Sequence, residues 1–230
     1  MYIVNPMPPQ IDAQLLAVLR QTDTGTIGHF LDAGFMSSDV SARMPGAAIV
    51  GTAVTVRVTV PDSVMAHYAL GQIRAHDILV IERGQDQRTA CWGGTTSAAA
   101  AKAGLTGLIM DGAGNDISQA NALGLPIWCR GVTPVTTKYR SIGGALNVPI
   151  SCGGVSVLPG DIIMADENGV LVIPRLEAAS VAEQALAFGK KEQDFLKLLA
   201  ARPSVCYPDE TGATEIVTKA LARKAGLHVR

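Results

Sequence analysis

Gly107-Leu108-Ile109-Met110-Asp111-Gly112-Ala113-Gly114-Asn115-Asp116 is the stretch on which the reading of the fold turns. Its apolar run is short and aliphatic, the pattern of a buried strand. It meets glycines, then Asn115 and Asp116, and then Ile117 to Leu123, which reads as a helix. In an open α/β sheet such a junction lies at the carboxyl end of a strand, where ligands bind. A second junction, Trp92-Gly93-Gly94-Thr95-Thr96, also opens a helix upstream. The two turns are expected to face one small-molecule site.

Working outward, Ala48 to Val60 carries Val50, Val54, Val56, Val58 and Val60 at period two, a clear strand. Asp77 to Glu82 is a second, Leu108 to Asp111 a third and Leu125 to Arg130 a fourth. Helices are expected over Val64 to Ile73 and Thr95 to Ala103, and a polar loop over Arg83 to Arg88. This alternation implies right-handed crossovers and a parallel sheet. From Asn147 to Pro174 the style changes to short strands separated by Gly153-Gly154, Pro159-Gly160-Asp161 and Glu167-Asn168-Gly169, which is hairpin chemistry. The fold class is therefore α/β, a parallel layer with an added β layer. Two short helices, Gln10 to Arg20 and one capped by Thr22 or Asp23, form an N-terminal arm ahead of any strand. Arg175 to Leu199 and Thr211 to Ala225 read as C-terminal helices, the second placed after Arg202-Pro203. The domain reading is residues 1–174 for the α/β body with its arm and 175–230 for a helical extension.

Composition bounds the partners. The 230 residues are 48% hydrophobic but only 4% aromatic, so the core is expected to be aliphatic and alanine-rich. Net charge is -1, with no basic patch interleaved with aromatics, which argues against nucleic acid. No apolar stretch is long enough to span a bilayer, and the N-terminus lacks the pattern of a signal peptide, so a cytoplasmic protein without membrane partners is expected. Cys91, Cys129, Cys152 and Cys206 form no C-x-x-C pair and read as buried free thiols. His29, His67, His76 and His228 are scattered, and packing or surface placement explains each as simply as catalysis.

Asp116 has two readings. Asp before a helix is commonly an N-cap. It could equally be a divalent-metal ligand, with water and substrate oxygens completing the shell of Mg²⁺ or Mn²⁺. Asp111 is an alternative carboxylate at the strand end. Gly93-Gly94-Thr95-Thr96 can offer helix N-terminal amides to an anion such as a carboxylate, or it can be a tight turn only. Gly112-x-Gly114 brushes a dinucleotide fingerprint but has Ile117 at the third glycine position. No Gly-x-Ser-x-Gly elbow, phosphate-binding loop or methyltransferase motif run is present.

Several segments taken together resemble the RraA-like family: Asp77 to Ile81, Trp92-Gly93-Gly94, Met110 to Asp116, Leu125 to Gly131, Gly153 to Asp161 and Ala165 to Val170. The family includes 4-hydroxy-4-methyl-2-oxoglutarate aldolases, once misnamed demethylmenaquinone methyltransferases, and a branch that regulates ribonuclease E. The resemblance runs from about Thr24 to Pro174. It implies a swivelling β/β/α layered domain, here with appended N- and C-terminal helices. It also implies a homotrimer or dimer of trimers with the site near a subunit boundary.

By that resemblance Asp116 is the metal ligand, and Gly93, Gly94, Thr95 and Thr96 supply the backbone part of the substrate site. Asn115 stands where the aldolases have a substrate-holding Arg, and Gly94 where they commonly have an Asp that positions or activates a water. Asn115 and Asp116 are the candidate catalytic pair. Arg83, Arg88 or Arg130 could restore positive charge, and His29 or His67 a base. The expected function is a metal-dependent lyase on a small 2-oxo acid or hydroxy acid, by retro-aldol cleavage or decarboxylation releasing pyruvate. The alternatives are different metal-dependent chemistry on a small carboxylate, or a non-catalytic regulator that binds a ribonuclease.

Overall fold

The computed structural model describes residues 1–202 and 205–224; Pro203, His228 and the expected helix end at Ala225 lie outside the described residues. In chain order the elements are β1 (Tyr2–Val4), α1 (Ala13–Leu19), α2 (Thr24–Gly28), β2 (Ser41–Ala42), β3 (Ile49–Val58), α3 (Val64–Leu70), β4 (Asp77–Ala90), α4 (Gly94–Lys102), β5 (Gly107–Gly114), α5 (Ile117–Ala122) and β6 (Ile127–Val132). They continue with β7 (Gly144–Leu146), β8 (Ile150–Cys152), β9 (Val155–Val157), β10 (Ile162–Ala165), β11 (Val170–Ile173), α6 (Ala178–Ala201), α7 (Tyr207–Glu210) and α8 (Ala213–Lys224). Two compact units divide the chain within α6, Met1–Leu186 and Ala187–Arg230.

Strands β3, β4, β5 and β6 lie side by side and parallel, joined by α3, α4 and α5, as the alternation of patterns requires. The other edge of β3 is shared. Its first half pairs antiparallel with β10 (Thr52 opposite Ile162), and its last residues pair antiparallel with β7 (Val56 opposite Leu146). The expected hairpins are present as β8–β9 and β10–β11. Strands β10 and β11 extend the main sheet, and β8–β9 forms a separate two-stranded sheet.

Three local expectations are corrected. A strand does precede the helical arm, because β1 adds parallel to β7 at the sheet edge; three exposed residues carry no alternation to read. The polar loop at Arg83 to Arg88 is strand: β4 runs on to Ala90 through two register shifts against β5. Its polar composition reflects an irregular, partly exposed continuation. Cys206 is exposed, whereas Cys91, Cys129 and Cys152 are buried and free as expected.

One face of the sheet packs on α3, α4 and α5 through Val54, Leu79, Ile81, Leu108, Met110 and Ile127. The other face meets β8–β9 through Val80, Ile109, Trp128, Ile150 and Val157. Arm helices α1 and α2, with the start of α6, close a third cluster over Ile162, Met164 and Leu171. Each fully buried aliphatic side chain contributes about 1.5–3 kcal/mol. The two tryptophans are the aromatic exceptions: Trp128 Nε1 donates to Asp166 O (2.9 Å) and Trp92 Nε1 to Ser97 Oγ (3.0 Å). In the second unit, α7 and α8 have no buried residues, and the Phe195 and Tyr207 rings pack at 5.7 Å.

Asp62 fixes the surroundings of the strand ends. It is 1% exposed, and its carboxylate accepts from Ser63 N and Val64 N at the start of α3. It also accepts from Arg140 N and Ile142 N in the segment after β6. Burial alone would push its carboxyl pKa up, but the Ile142, Val64, Arg140 and Ser63 amides outweigh it and hold the carboxyl below its ordinary 3.8. Asp62→Ala is therefore expected to lower stability by about 2–3 kcal/mol at neutral pH. A lowered folded-state value places this contribution above pH 3.8 and removes it as pH falls through that depressed value. Urea titrations of both proteins across acid pH will show the gap closing.

Candidate active site

The loops that follow β3, β4, β5 and β6 lie at the same, carboxyl, ends of their strands. A cavity of about 230 Å³ opens there, lined by residues that include Ser63, His67, Cys91, Gly93, Gly94, Thr95, Thr96, Asp116, Thr136 and Thr137. A second, of about 360 Å³, is lined by Asn115 to Ser118 and Val132 to Pro134. Asp116 lines both, so the two junctions singled out in the sequence do meet.

They meet through one hydrogen bond. Gly94 N–H, the first amide of α4, donates to Asp116 Oδ2 at 3.0 Å. Asp116 occupies the N-cap position of α5 with φ 52° and ψ 39°, yet its side chain makes no capping bond there. The left-handed backbone, which Asp tolerates better than most residues, turns the carboxylate across to α4. A Cβ on Gly93 would stand 3.1 Å from Asp116 Oδ2, so the bare backbone permits the approach. The α4 turn is held from within: Gly93 N donates to Thr96 Oγ1 (2.8 Å), and Ser97 Oγ donates to Gly93 O (2.8 Å). The amides of Thr95 and Thr96 follow in the first turn, where no intrahelical carbonyl can reach them. Asp116 is exposed, and Oδ1 has no donor among the described residues.

Asn115 is a strut between loops. Its N–H donates to Trp92 O (3.0 Å) and its Nδ2 to Thr133 O (2.8 Å), joining the turns after β4, β5 and β6. The segment after β6 then crosses back to β4, with Ala90 N donating to Val135 O and Thr137 N to Ala90 O.

His67 reaches the cavity from α3, and His29 is not among its lining residues. Tyr139 Oη lies 2.8 Å from His67 Nδ1, with the rings edge to face at 5.1 Å. Burial holds the imidazole below its ordinary 6.5, so it is neutral at pH 7. The arginines do not enter the cavity. Arg130 is paired with Asp111 and, at 3.0 Å, with Asp39. Arg83 is buried and bonded to Asp86 and Thr89. Arg88 is exposed outside both cavities. Asp111 is thus an inward-facing ion-pair partner and not an alternative site carboxylate. Gly112 and Gly114 lie inside β5 and form no phosphate turn; a Cβ on Gly112 would come 2.8 Å from Asp86 O of β4, and one on Gly114 would stand against Ile117, Met110 and Cys129.

One neighbour was not singled out from the sequence. A Cβ on Gly94 would overlap the Gln119 carboxamide, whose carbon would stand 2.7 Å away, and the same point lies 3.4 Å from Asp116 Oδ2. Gln119 is three residues beyond Asp116 on the first turn of α5, and that spacing was the available signal.

An open carboxylate beside helix N-terminal amides thus lies at the ends of the parallel strands of an α/β fold. A family model described as RraA-like, Aldolase/RraA, matches residues 25–172. The chain belongs to the RraA-like family. It is 35% identical over 185 residues to a protein of Halalkalibacterium halodurans that carries the provisional name 4-hydroxy-4-methyl-2-oxoglutarate aldolase, covering 80% of this chain and 86% of that one. Streptomyces coelicolor RraAS2, described as an unusual member of the RNase ES inhibitor RraA family, superimposes with a TM-score of 0.71 at 26% identity, over 81% of this chain and 98% of that one. An uncharacterized Pseudomonas syringae protein gives 0.74 at 22% identity, over 86% and 93%, a likeness of fold alone.

Asn115→Ala removes the strut at Thr133 and is expected to cost about 1 kcal/mol. Amide exchange in Thr133 to Thr137 should accelerate relative to β3; unchanged exchange there would rule out the strut.

Proposed function

We propose that this protein is a lyase that breaks a C–C bond of a small 2-oxo acid or hydroxy acid, by retro-aldol cleavage or decarboxylation, releasing pyruvate. The observation that carries the reading is the Gly94 N–H···Asp116 bond. It puts an open carboxylate oxygen beside unpaired helix amides in one cavity. The 4-hydroxy-4-methyl-2-oxoglutarate aldolase name of the Halalkalibacterium halodurans relative supports it.

Asp116 would hold a divalent ion, Mg²⁺ or Mn²⁺. The donor set fits such an ion: Asp116 Oδ1 is a hard, accessible oxygen. Among the described residues no group of three or more His, Cys, Asp or Glu could hold a metal ion, so Asp116 would be its one carboxylate ligand, with water and substrate oxygens completing the shell. Such an ion, when bound, would supply Lewis acidity toward the substrate. The Thr95 and Thr96 amides receive the substrate carboxylate at the positive end of α4. His67, kept neutral by burial, accepts or returns a proton at the opposite wall, oriented through Nδ1 by Tyr139. Asn115 and Thr133 keep the two halves of the site in register.

The same reading includes a homotrimer or dimer of trimers. Val132 at the end of β6 and Val135, Tyr139 and Ile142 in the segment after it, apolar and at least 45% exposed, offer a surface for a neighbouring subunit. No described helix is long and apolar enough to cross a membrane.

Pyruvate release coupled to lactate dehydrogenase, with oxaloacetate and 4-hydroxy-2-oxo acids as substrates and Mg²⁺ or Mn²⁺ present, tests the activity. Asp116→Ala is expected to lower kcat/KM by at least about a hundredfold. Retro-aldol turnover should fall as pH drops through the depressed His67 value below 6.5, and His67→Gln should flatten that limb. Absence of turnover across the panel would remove the lyase reading.

A further inference from the structure

Ser63 holds the N-cap position of α3, yet its side chain makes no capping hydrogen bond. Asp62 takes that role instead: its Oδ1 accepts from Ser63 N (2.7 Å) and Val64 N (3.1 Å). The Ser63 hydroxyl is left without a hydrogen-bond partner among the described residues, although the residue is only 3% exposed. A hydroxyl buried in this way normally has a partner, and leaving it without one costs about 1–3 kcal/mol. Ser63 lines the cavity that Asp116 also lines, so a ligand held there is the partner within reach.

The rest of the lining indicates which ligand group that is. Among the described residues around this cavity, Asp116 alone carries a charge at pH 7, because His67, one turn along α3, is kept neutral by burial. Thr96 and Thr137 commit their hydroxyls to Gly93 O and Ala90 O. With no basic side chain in the lining, a second carboxylate on the ligand would lose its water without gaining a counter-charge. A ligand hydroxyl meets no such penalty, since it can donate to Ser63 Oγ or accept from it.

We propose that Ser63 is a specificity-determining residue of this cavity, and that it selects hydroxylated monocarboxylic acids, the sugar-acid class, over dicarboxylates of the same length. The inference deepens the lyase reading: it rests on that reading for the reaction and on Ser63 for the binding preference. The matching substrate is then 4,5-dihydroxy-2-oxopentanoate. Its C3–C4 bond breaks with the electron pair remaining on C3, the C4 hydroxyl gives its proton to a base, and C4 becomes the aldehyde carbon of glycolaldehyde. C3 takes up a proton, and pyruvate leaves.

Three four-carbon acids that differ only at C4 test the preference. They are 2,4-dihydroxybutanoate with a hydroxymethyl group, malate with a carboxylate and 2-hydroxybutanoate with a methyl group. Each is titrated calorimetrically into the full-length protein with Mn²⁺ present. The parent is expected to bind 2,4-dihydroxybutanoate about fivefold more tightly than either of the others. Ser63→Ala should bring 2,4-dihydroxybutanoate and 2-hydroxybutanoate within about twofold of one another. The Ser63 side chain caps nothing, so this variant is expected to keep the thermal midpoint of the parent. Should it unfold, the ranking of the three acids in the parent carries the test. In the pyruvate assay, kcat/KM for 4,5-dihydroxy-2-oxopentanoate should exceed that for 4-hydroxy-2-oxoglutarate by at least about fivefold, and Ser63→Ala should remove that margin.

Malate bound as tightly as 2,4-dihydroxybutanoate, no saturable binding of 2,4-dihydroxybutanoate to the parent, or a folded Ser63→Ala protein that keeps the fivefold preference would each overturn the proposal. The binding preference without turnover of any 2-oxo acid removes the lyase reading and leaves the role of Ser63 standing. Pyruvate release with the dicarboxylate preferred does the reverse.

Discussion

The bond between the Gly94 amide and the Asp116 carboxylate is the constraint on which the site depends. It joins the turns after two neighbouring parallel strands and commits the first amide of α4 to a charge belonging to the protein. A hydrogen bond to a charged acceptor is worth about 1.5–3 kcal/mol, and the helix terminus adds to it. That is enough to offset the left-handed backbone at Asp116, which costs on the order of 1 kcal/mol or more. Asp116, Thr95 and Thr96 line one cavity around that bond. The first amide of this helix is thus satisfied by Asp116.

The rest of the structure supplies rigidity around that bond. The parallel strands bring four loops to one end of the sheet. Asn115 then ties three of them together by a backbone and a side-chain hydrogen bond. Asp62 carries the load on the opposite side, holding the start of α3 and the segment after β6 with four backbone amides. His67, one turn beyond the N-terminus of α3, lines the cavity and meets Tyr139 of the segment so held.

The arginines illustrate how burial settles charge. Arg130 and Asp111 have side chains only 6% exposed and neutralise one another beneath the sheet end. Separating them would leave an uncompensated charge in a poor solvent for ions. Arg83 is fully buried and donates from Nη2 to Asp86 and Thr89. A positive side chain facing the ligand in place of the Arg expected before Asp116 is therefore not recovered from these neighbours. On the proposed reading, recognition of an anion would fall to backbone amides, which hold fixed positions and carry only partial charge.

Periodicity and glycine placement were sufficient, in the sequence alone, to establish the parallel strands, their helices, the hairpins and the two junctions that form the site. Those features follow from local backbone preference and from burial of alternating faces, which neighbouring residues encode. The family resemblance singled out Asp116 among the carboxylates. Tertiary structure alone decided that Asp116 bonds across to α4 instead of capping α5, and that Asp111 turns inward to Arg130. It also decided that His67 enters the cavity where His29 does not, and that Gln119 fills the space above Gly94. Each of these outcomes depends on distance between residues far apart in the chain or on the direction a side chain takes from its backbone. Sequence spacing carries neither quantity once the chain leaves a single helix or strand.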